Sequence, residues 1–253
     1  MHGREWGVHR VLLRAAGFIS RSMAARLGIV QRLDESSRRL ILAQRPRYGL
    51  YPRCMGTVGE FASRSAIGLG ASVKVFDNSL SRLRRLQNDI GSRVYTSIIQ
   101  PKVLAKAIRR ADVVIGALRS PIGKSPCVVT ESMIESMKEG SVVVDVSIDQ
   151  GGCFETSRVT NHNEPTFIKY GVIHYCVPNI ASRVSRTASF ALSNIFSPLI
   201  LEMGDKGGVS ELIRAQRGFR NGVYVYRGIL TNEVLGRAFD LKYKNIELLL
   251  PGI

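Results

Sequence analysis

The sequence predicts an α/β fold built on a doubly wound, mostly parallel sheet, and three observations carry that expectation. The first is alternation. From Met55 onward, helical patterns over 60–69, 81–88, 102–110 and 131–137 interleave with strand-like runs over 71–77, 93–97, 112–118 and 141–146. Strands and helices alternating at this spacing build βαβ units. The second is the run Ser141-Val-Val-Val-Asp-Val146, whose β-branched apolar residues without alternation fit a strand buried on both faces. The third is a polar turn. Asp149-Gln-Gly-Gly152 stands just past the carboxyl end of that strand, where open α/β sheets place ligands. Taken alone, such a turn serves equally well as a polar cap on a core strand.

Each element has its own signals. Glu60–Leu69 sets Phe61, Ala62, Ser65, Ala66 and Leu69 on one helical face and stops at Gly68-Leu-Gly70. The strand Ala71-Ser-Val-Lys-Val-Phe-Asp77 alternates and ends in an acid. With Gly56-Thr-Val-Gly59 before that helix, these residues form most of a dinucleotide fingerprint. Two glycines let backbone approach a pyrophosphate at a helix N-terminus, and a carboxylate at Asp77 accepts hydrogen bonds from a ribose. A carboxylate there also selects NAD over NADP, because it repels a 2′-phosphate. The competing reading of Asp77 is a cap on the next helix. The basic face Lys102, Lys106, Arg109 and Arg110 reads as solvated helix, and Arg119-Ser-Pro-Ile-Gly-Lys124 as a loop at a strand end.

Beyond the Asp149 loop we expect a strand over 171–177 and a helix over 186–203 kinked at Pro198. A small strand at 222–226, a helix at 232–239 and a Leu248-Leu-Leu-Pro tail then pack back on the sheet or on a partner. His162 reads as a loop surface residue and His174 as a strand residue with a satisfied ring.

Composition bounds the function. The chain has 253 residues, 45% of them hydrophobic, and no apolar run reaches the length of a membrane span. Its four cysteines show neither metal-ligand nor Cys-x-x-Cys spacing, so reduced thiols, a cytoplasmic setting and no metal are expected. The net charge is +16, and half of it lies in the first 59 residues, where every basic residue is arginine. That arginine lacks the interleaved aromatics that base stacking requires, so no nucleic-acid partner is expected.

Residues 1–53 stand apart. They are Arg-rich, acid-poor and without a sustained period, although Met23–Leu33 suits a short helix. The composition superficially matches an organelle transit peptide. Where a first strand should precede Gly56 stand Gly49-Leu-Tyr-Pro-Arg53 and Cys54. Proline removes a ladder donor, and arginine would bury a charge. We therefore divide the chain into an atypical segment 1–53, a nucleotide-binding domain 54–185 and a C-terminal region 186–253.

Several blocks in order give the chain a family resemblance. These are Gly56-Thr-Val-Gly59, Val75-Phe-Asp77, Asp112-Val-Val-Ile-Gly-Ala117, Val144-Asp-Val-Ser-Ile-Asp-Gln-Gly-Gly-Cys-Phe-Glu-Thr-Ser157, Gly171-Val-Ile-His-Tyr-Cys-Val177 and Arg186-Thr-Ala-Ser-Phe-Ala-Leu-Ser-Asn194. Together they resemble the alanine dehydrogenases. The related transhydrogenase α chains carry a different, Glu-containing version of the Asp149 loop. The resemblance implies a Rossmann domain joined to a substrate domain, here left as remnants at the termini. It also implies oxidative deamination of L-alanine to pyruvate and ammonia with NAD, and a homo-oligomer, a hexamer in the family. By motif, Gly56, Val58 and Gly59 would face the pyrophosphate, Asp77 the adenosine ribose and Arg82 the adenine side. Leu118, Val146, Asn179 and Ile180 would face the nicotinamide half. Asp149 would sit beside the reacting carbon and orient the amine, or the water that attacks the imine. The family's substrate domain supplies an arginine, a lysine and a histidine that have no counterpart in residues 1–53. Rival readings are a transhydrogenase α-type subunit and a non-catalytic nucleotide-binding or assembly subunit.

One reading unites the oddities before Met55. Tyr51-Pro-Arg-Cys-Met55 can be encoded so that a one-base shift spells Ile-Leu-Gly-Ala, and skipping two further bases rejoins Gly56-Thr. An out-of-frame translation would explain the lysine-free arginine excess, Pro52, Arg53 and the absent substrate domain. It predicts a chain that lacks the central first strand.

Overall fold

The computed structural model of the chain describes residues 39–44, 57–68, 70–91, 94–118 and 124–250. It divides into two compact units, Met1–Ser185 and Arg186–Ile253.

The first unit is a seven-stranded sheet. Its strands in chain order are β1 (Arg39–Gln44), β2 (Ser72–Asp77), β3 (Tyr95–Ser97), β4 (Val113–Ala117), β5 (Val142–Asp145), β6 (Thr166–Lys169) and β7 (Val172–Tyr175). Across the sheet they run β3-β2-β1-β4-β5-β7-β6. All neighbours are parallel except β6 and β7. Four helices connect them: α1 (Thr57–Gly68), α2 (Leu80–Ile90), α3 (Pro101–Ile108) and α4 (Glu131–Glu135). The mostly parallel, doubly wound α/β class expected from the alternation is the one observed.

β1 corrects an expectation. Arg39–Gln44 occupies the centre of the sheet and pairs in parallel with both β2 and β4, from Arg39↔Ser72 to Gln44↔Asp77 and from Leu40↔Val113 to Gln44↔Ala117. The central strand is therefore present, and it comes from the segment set aside as atypical. The physical reason is that β2 and β4 each present an inner edge whose buried N–H and C=O groups require partners. The short apolar run Leu40-Ile-Leu-Ala43 carries no proline to prevent that pairing. Residues 49–53, where the strand was expected, lie outside the described residues, as do Cys54, Met55 and Gly56.

β6 is an addition that the sequence reading missed. It joins β7 through Tyr170 (φ 55°) and Gly171 (φ 71°), both left-handed as a two-residue hairpin requires. Its pairing satisfies what would otherwise be the open edge of β7.

Both faces of the sheet are buried, and the period-2 alternation of strands decides which residue serves which face. Val73, Val75, Ile115, Val142, Val144, Ile173 and Tyr175 pack with Ala62 and Ala66 of α1 and Leu83 and Leu86 of α2. Phe76, Val114, Val143 and Val172 pack on the other side with Leu104 and Ile108 of α3 and Ile134 of α4. Cys153 and Phe154 close that second layer.

The second unit contains α5 (Ser185–Asp205), α6 (Val209–Ala215), α7 (Arg217–Arg220), the hairpin β8 (Val225–Tyr226) and β9 (Ile229–Leu230), and α8 (Glu233–Phe239). Ile213, Tyr226, Ile246 and Leu250 form its small core. α5 continues through Pro198, and none of its side chains is buried. Among the described residues no helix is long and apolar enough to cross a membrane.

Gly116 shows how tightly the sheet is covered. A Cβ there would overlap Cys153 Sγ and the Phe154 ring. Gly116→Ala is expected to destabilise the fold by roughly 1–3 kcal/mol, the usual cost of overpacking a core, as read from the urea midpoint at unchanged slope.

Candidate functional site

Strand register brings the predicted Asp77 and Val146 to one edge. Gln44, Asp77 and Ala117 are mutual register partners at the carboxyl ends of β1, β2 and β4. Gly116 pairs with Asp145 and Val144 with Tyr175, so Val146 and Val177 stand just beyond the same row. The strand order reverses between β1 and β4 at this edge, which is where doubly wound sheets form their ligand crevice. α1 begins beside it. Val58 is half-buried against the core and Gly59 is buried in its first turn, where Ser63 Oγ donates to the Gly59 carbonyl at 2.6 Å.

Asp77 is buried, and its Oδ1 accepts the Ser79 N–H at 2.8 Å. Burial pushes its carboxyl up to about 6, against the opposing pull of that N–H and of the nearby Arg82 charge. The capping-type bond and a ribose-binding role are compatible, since a carboxylate has acceptor sites to spare. Arg82 is half-buried in the first turn of α2.

Leu118 is 1% exposed, with its side chain in the core. Anything it offers a ligand comes from its backbone, and its carbonyl already accepts Ser125 Oγ at 2.9 Å and Ser147 Oγ at 2.5 Å. Val146 is half-buried. Asn179 is exposed and left-handed (φ 53°) before the 3-10 turn Ile180–Val184, and Ile180 is buried.

Asp149 is exposed in the middle of the 3-10 turn Ile148–Gln150. The turn closes with Gln150 and Gly152 N–H groups donating to the Ser147 carbonyl at 2.9 and 3.0 Å, and Gly151 N–H to Ile148 at 3.0 Å. Gly151 (φ 95°) and Gly152 (φ 78°) are both left-handed, which is why two glycines stand there. The Ser125 N–H donates to the Gln150 carbonyl at 2.7 Å, tying the segment after β4 to the turn.

The residue that sequence reasoning missed is Asp145. It is wholly buried at the end of β5 and accepts from Ser147 N–H, Cys153 N–H and Ser157 Oγ. The signal was there in the sequence, because a charge inside a strand buried on both faces must have partners.

The histidines are both engaged. His174 Nδ1 donates to the Val172 carbonyl at 3.0 Å, which leaves Nε2 to accept from Thr156 Oγ1 at 2.8 Å. Burial holds its pKa below the usual histidine value, and the ring stacks on Phe167. His162 is exposed and bonds Ser182 Oγ at 2.7 Å.

The chain has recognisable relatives. A sequence profile described as "Alanine dehydrogenase/PNT, C-terminal domain" matches residues 54–233. Alanine dehydrogenase 2 of Staphylococcus aureus (strain USA300) is 40% identical over 193 residues, 76% of this chain and 52% of that protein. The chain thus spans about half the length of the curated relatives it matches. A solved structure of an L-alanine dehydrogenase superposes with a TM-score of 0.71 at 31% identity, covering 89% of this chain and 61% of that one. The transhydrogenase from Sinorhizobium meliloti shares the fold, with a TM-score of 0.59 at 21% identity over 87% and 60% of the two chains.

Asp77 makes stability depend on pH. Its folded pKa of about 6 lies above the ordinary 3.8, so the folded state holds the proton more tightly. The resulting stabilisation is fully present below about pH 4 and is lost as pH rises through about 6, on the order of 2–3 kcal/mol in all. Urea unfolding of wild type and Asp77→Asn across pH 4–7 is expected to show the difference between them widening as pH rises from about 4 to about 6 and levelling off above that, with the variant the more stable at high pH.

Proposed function

We propose, from the premise that this chain belongs to the alanine dehydrogenase/PNT family and carries its C-terminal domain, that it binds NAD at the carboxyl edge of its sheet for the oxidative deamination of L-alanine to pyruvate and ammonia. The observation that carries this reading is the meeting, on one edge of a doubly wound sheet, of a buried carboxylate at the end of β2 and an exposed carboxylate on the turn after β5.

The residues at this edge fit a dinucleotide. The first turn of α1, with Val58 and Gly59, offers backbone N–H groups and a favourable dipole to the pyrophosphate, and Gly56 would complete that approach. Asp77 accepts the adenosine ribose hydroxyls, and its charge disfavours a 2′-phosphate. Arg82 flanks the adenine side. Val146, Asn179 and Ile180, with the Leu118 backbone, border the nicotinamide half. NAD, when bound, supplies the hydride acceptor.

Asp149 orients the substrate amine and, after oxidation, the water that attacks the imine. Its placement supports this, because the 3-10 turn presents it to solvent while both ends of the turn are fastened to the sheet. General acid–base groups contribute on the order of 10²–10⁴-fold. His174 is committed to Thr156 and Val172, so it is not the acid/base imidazole that the reaction calls for. We therefore place this chain as the nucleotide-binding half of the reaction, incomplete by itself. The Asp-containing turn favours this over a transhydrogenase α-type subunit.

A cytoplasmic setting and homo-oligomeric assembly complete the reading. The first is supported by the buried free thiols of Cys153 and Cys176. The second is supported by the exposed apolar side chains of α5, among them Phe190, Leu192, Ile195 and Phe196. A non-catalytic nucleotide-binding subunit would share all these features except turnover.

Two measurements test the proposal. By fluorescence titration the purified chain is expected to bind NADH at least about tenfold more tightly than NADPH, a difference of about 1.4 kcal/mol, with Asp77→Ala erasing the preference. Equal affinities in wild type would remove Asp77 from the ribose. Wherever alanine-dependent NADH production is measurable, Asp149→Asn is expected to lower it by about 10²–10⁴-fold with NADH affinity nearly intact. A change confined to NADH affinity would make Asp149 a binding residue.

A further inference from the structure

We infer that Asp145 is the positioning residue that sets where Asp149 stands, an inference that rests on the reading of Asp149 as the reactive carboxylate. β5 is buried along its whole length, yet its last residue is an aspartate with no exposed surface. A buried carboxylate is costly unless it is hydrogen-bonded. Among the described residues no cation pairs with it, and every donor it has is neutral.

Those donors come from both ends of one turn. Oδ1 accepts the Ser147 N–H at 3.0 Å, before the turn. Oδ2 accepts the Cys153 N–H at 3.0 Å, after it, and Ser157 Oγ at 2.6 Å. Cys153 Sγ lies 3.7 Å from Oδ1. Between the two clamped ends stand Asp149 and the left-handed glycines. Gly152 belongs to the same device, because a Cβ there would lie 2.6 Å from Asp145 Oδ2. The turn is thus closed by backbone bonds within and gripped by one carboxylate from beneath.

The position demands a carboxylate. Only an acceptor with two oxygens receives both amides and the hydroxyl at once, whereas an asparagine would turn its NH₂ toward one of the two backbone N–H groups. An apolar residue would leave both of those buried donors unpaired. Burial raises the Asp145 pKa while the Ser157, Cys153 and Ser147 donors oppose the rise, so the clamp and the charge depend on one another. The competing role is purely structural, in which Asp145 only keeps the strand end folded. It would lower the folded fraction without changing the rate per folded molecule.

The test uses the full chain with wild type, Asp145→Asn, Asp145→Ala and Asp149→Asn side by side. Active sites are counted by NADH titration, turnover is measured with L-alanine and NAD, and amide hydrogen exchange is followed on each protein. In Asp145→Asn, kcat per NADH site is expected to fall about 10–100-fold, because misplacing a reacting group by about 1 Å can cost on the order of 100-fold. KM for L-alanine and NADH affinity should stay within about twofold, with Asp145→Ala worse than Asp145→Asn. The amides of Gln150, Gly151 and Gly152 are expected to exchange at least about tenfold faster in Asp145→Asn, the effect of roughly 1.4 kcal/mol on local opening, while those of β4 and β5 keep their protection. Unchanged kcat per NADH site in Asp145→Asn, where Asp149→Asn does lower it, overturns the inference and leaves the reading of Asp149 standing. Unchanged kcat in Asp149→Asn fails that reading instead, and a wild type without alanine turnover is the incomplete half described above. Exchange alone then decides whether Asp145 sets the turn: faster exchange confined to 150–152 upholds it, and unchanged exchange overturns it.

Discussion

A parallel sheet covered on both faces has nowhere to put polar chemistry except its rims, and the first unit of this chain is organised by that constraint. β4, β5 and β7 carry apolar residues toward both layers, so each connection delivers its polar residues to an end of the sheet. Parallel pairing makes all the carboxyl ends coincide at one edge. Asp77 and the Val146–Asp149 stretch, distant in sequence, come to the same edge for that reason alone. The strand order reverses between β1 and β4, the point at which doubly wound sheets form a ligand crevice.

Among the polar groups that remain inside, the Tyr175 hydroxyl has no partner, whereas His174, Asp77 and Asp145 are all partnered. His174 sits between Thr156 and the Val172 carbonyl, Asp77 takes the Ser79 N–H, and Asp145 gathers three donors. Unpaired burial of such groups costs about 1–3 kcal/mol each, and more when charged, so their partners are conditions of folding rather than ornaments. The same bonds give the edge its rigidity. A turn fastened at both ends can hold a carboxylate at a fixed place, which catalysis by positioning requires. The exposed ion pairs, such as Lys138–Asp112 and Arg237–Glu233, contribute little by comparison.

The second unit is built differently. Its core is small, and α5 carries Phe190, Leu192, Ile195, Phe196, Ile200 and Leu201 largely in solvent. A helix that is apolar on many sides normally lies within a larger body. That exposure accords with a chain spanning about half the length of its curated relatives.

The sequence by itself determined the α/β class, most of the strands and helices, and the polar turn at Asp149-Gln-Gly-Gly152, because local periodicity and turn chemistry are written residue by residue. The pair Gly151-Gly152 permits a left-handed turn, and Val142-Val-Val144 announces a buried strand. Tertiary structure alone decided three things. It placed Arg39–Gln44 as the central strand, since the deciding factor there is the unpaired backbone of β2 and β4, contributed by residues far along the chain. It added β6 as an antiparallel edge for the same reason. And it turned Asp145 from an anomaly inside an apolar run into the acceptor that grips the turn after β5, because its meaning lies in donors at 147, 153 and 157 that only a folded turn can aim at one carboxylate.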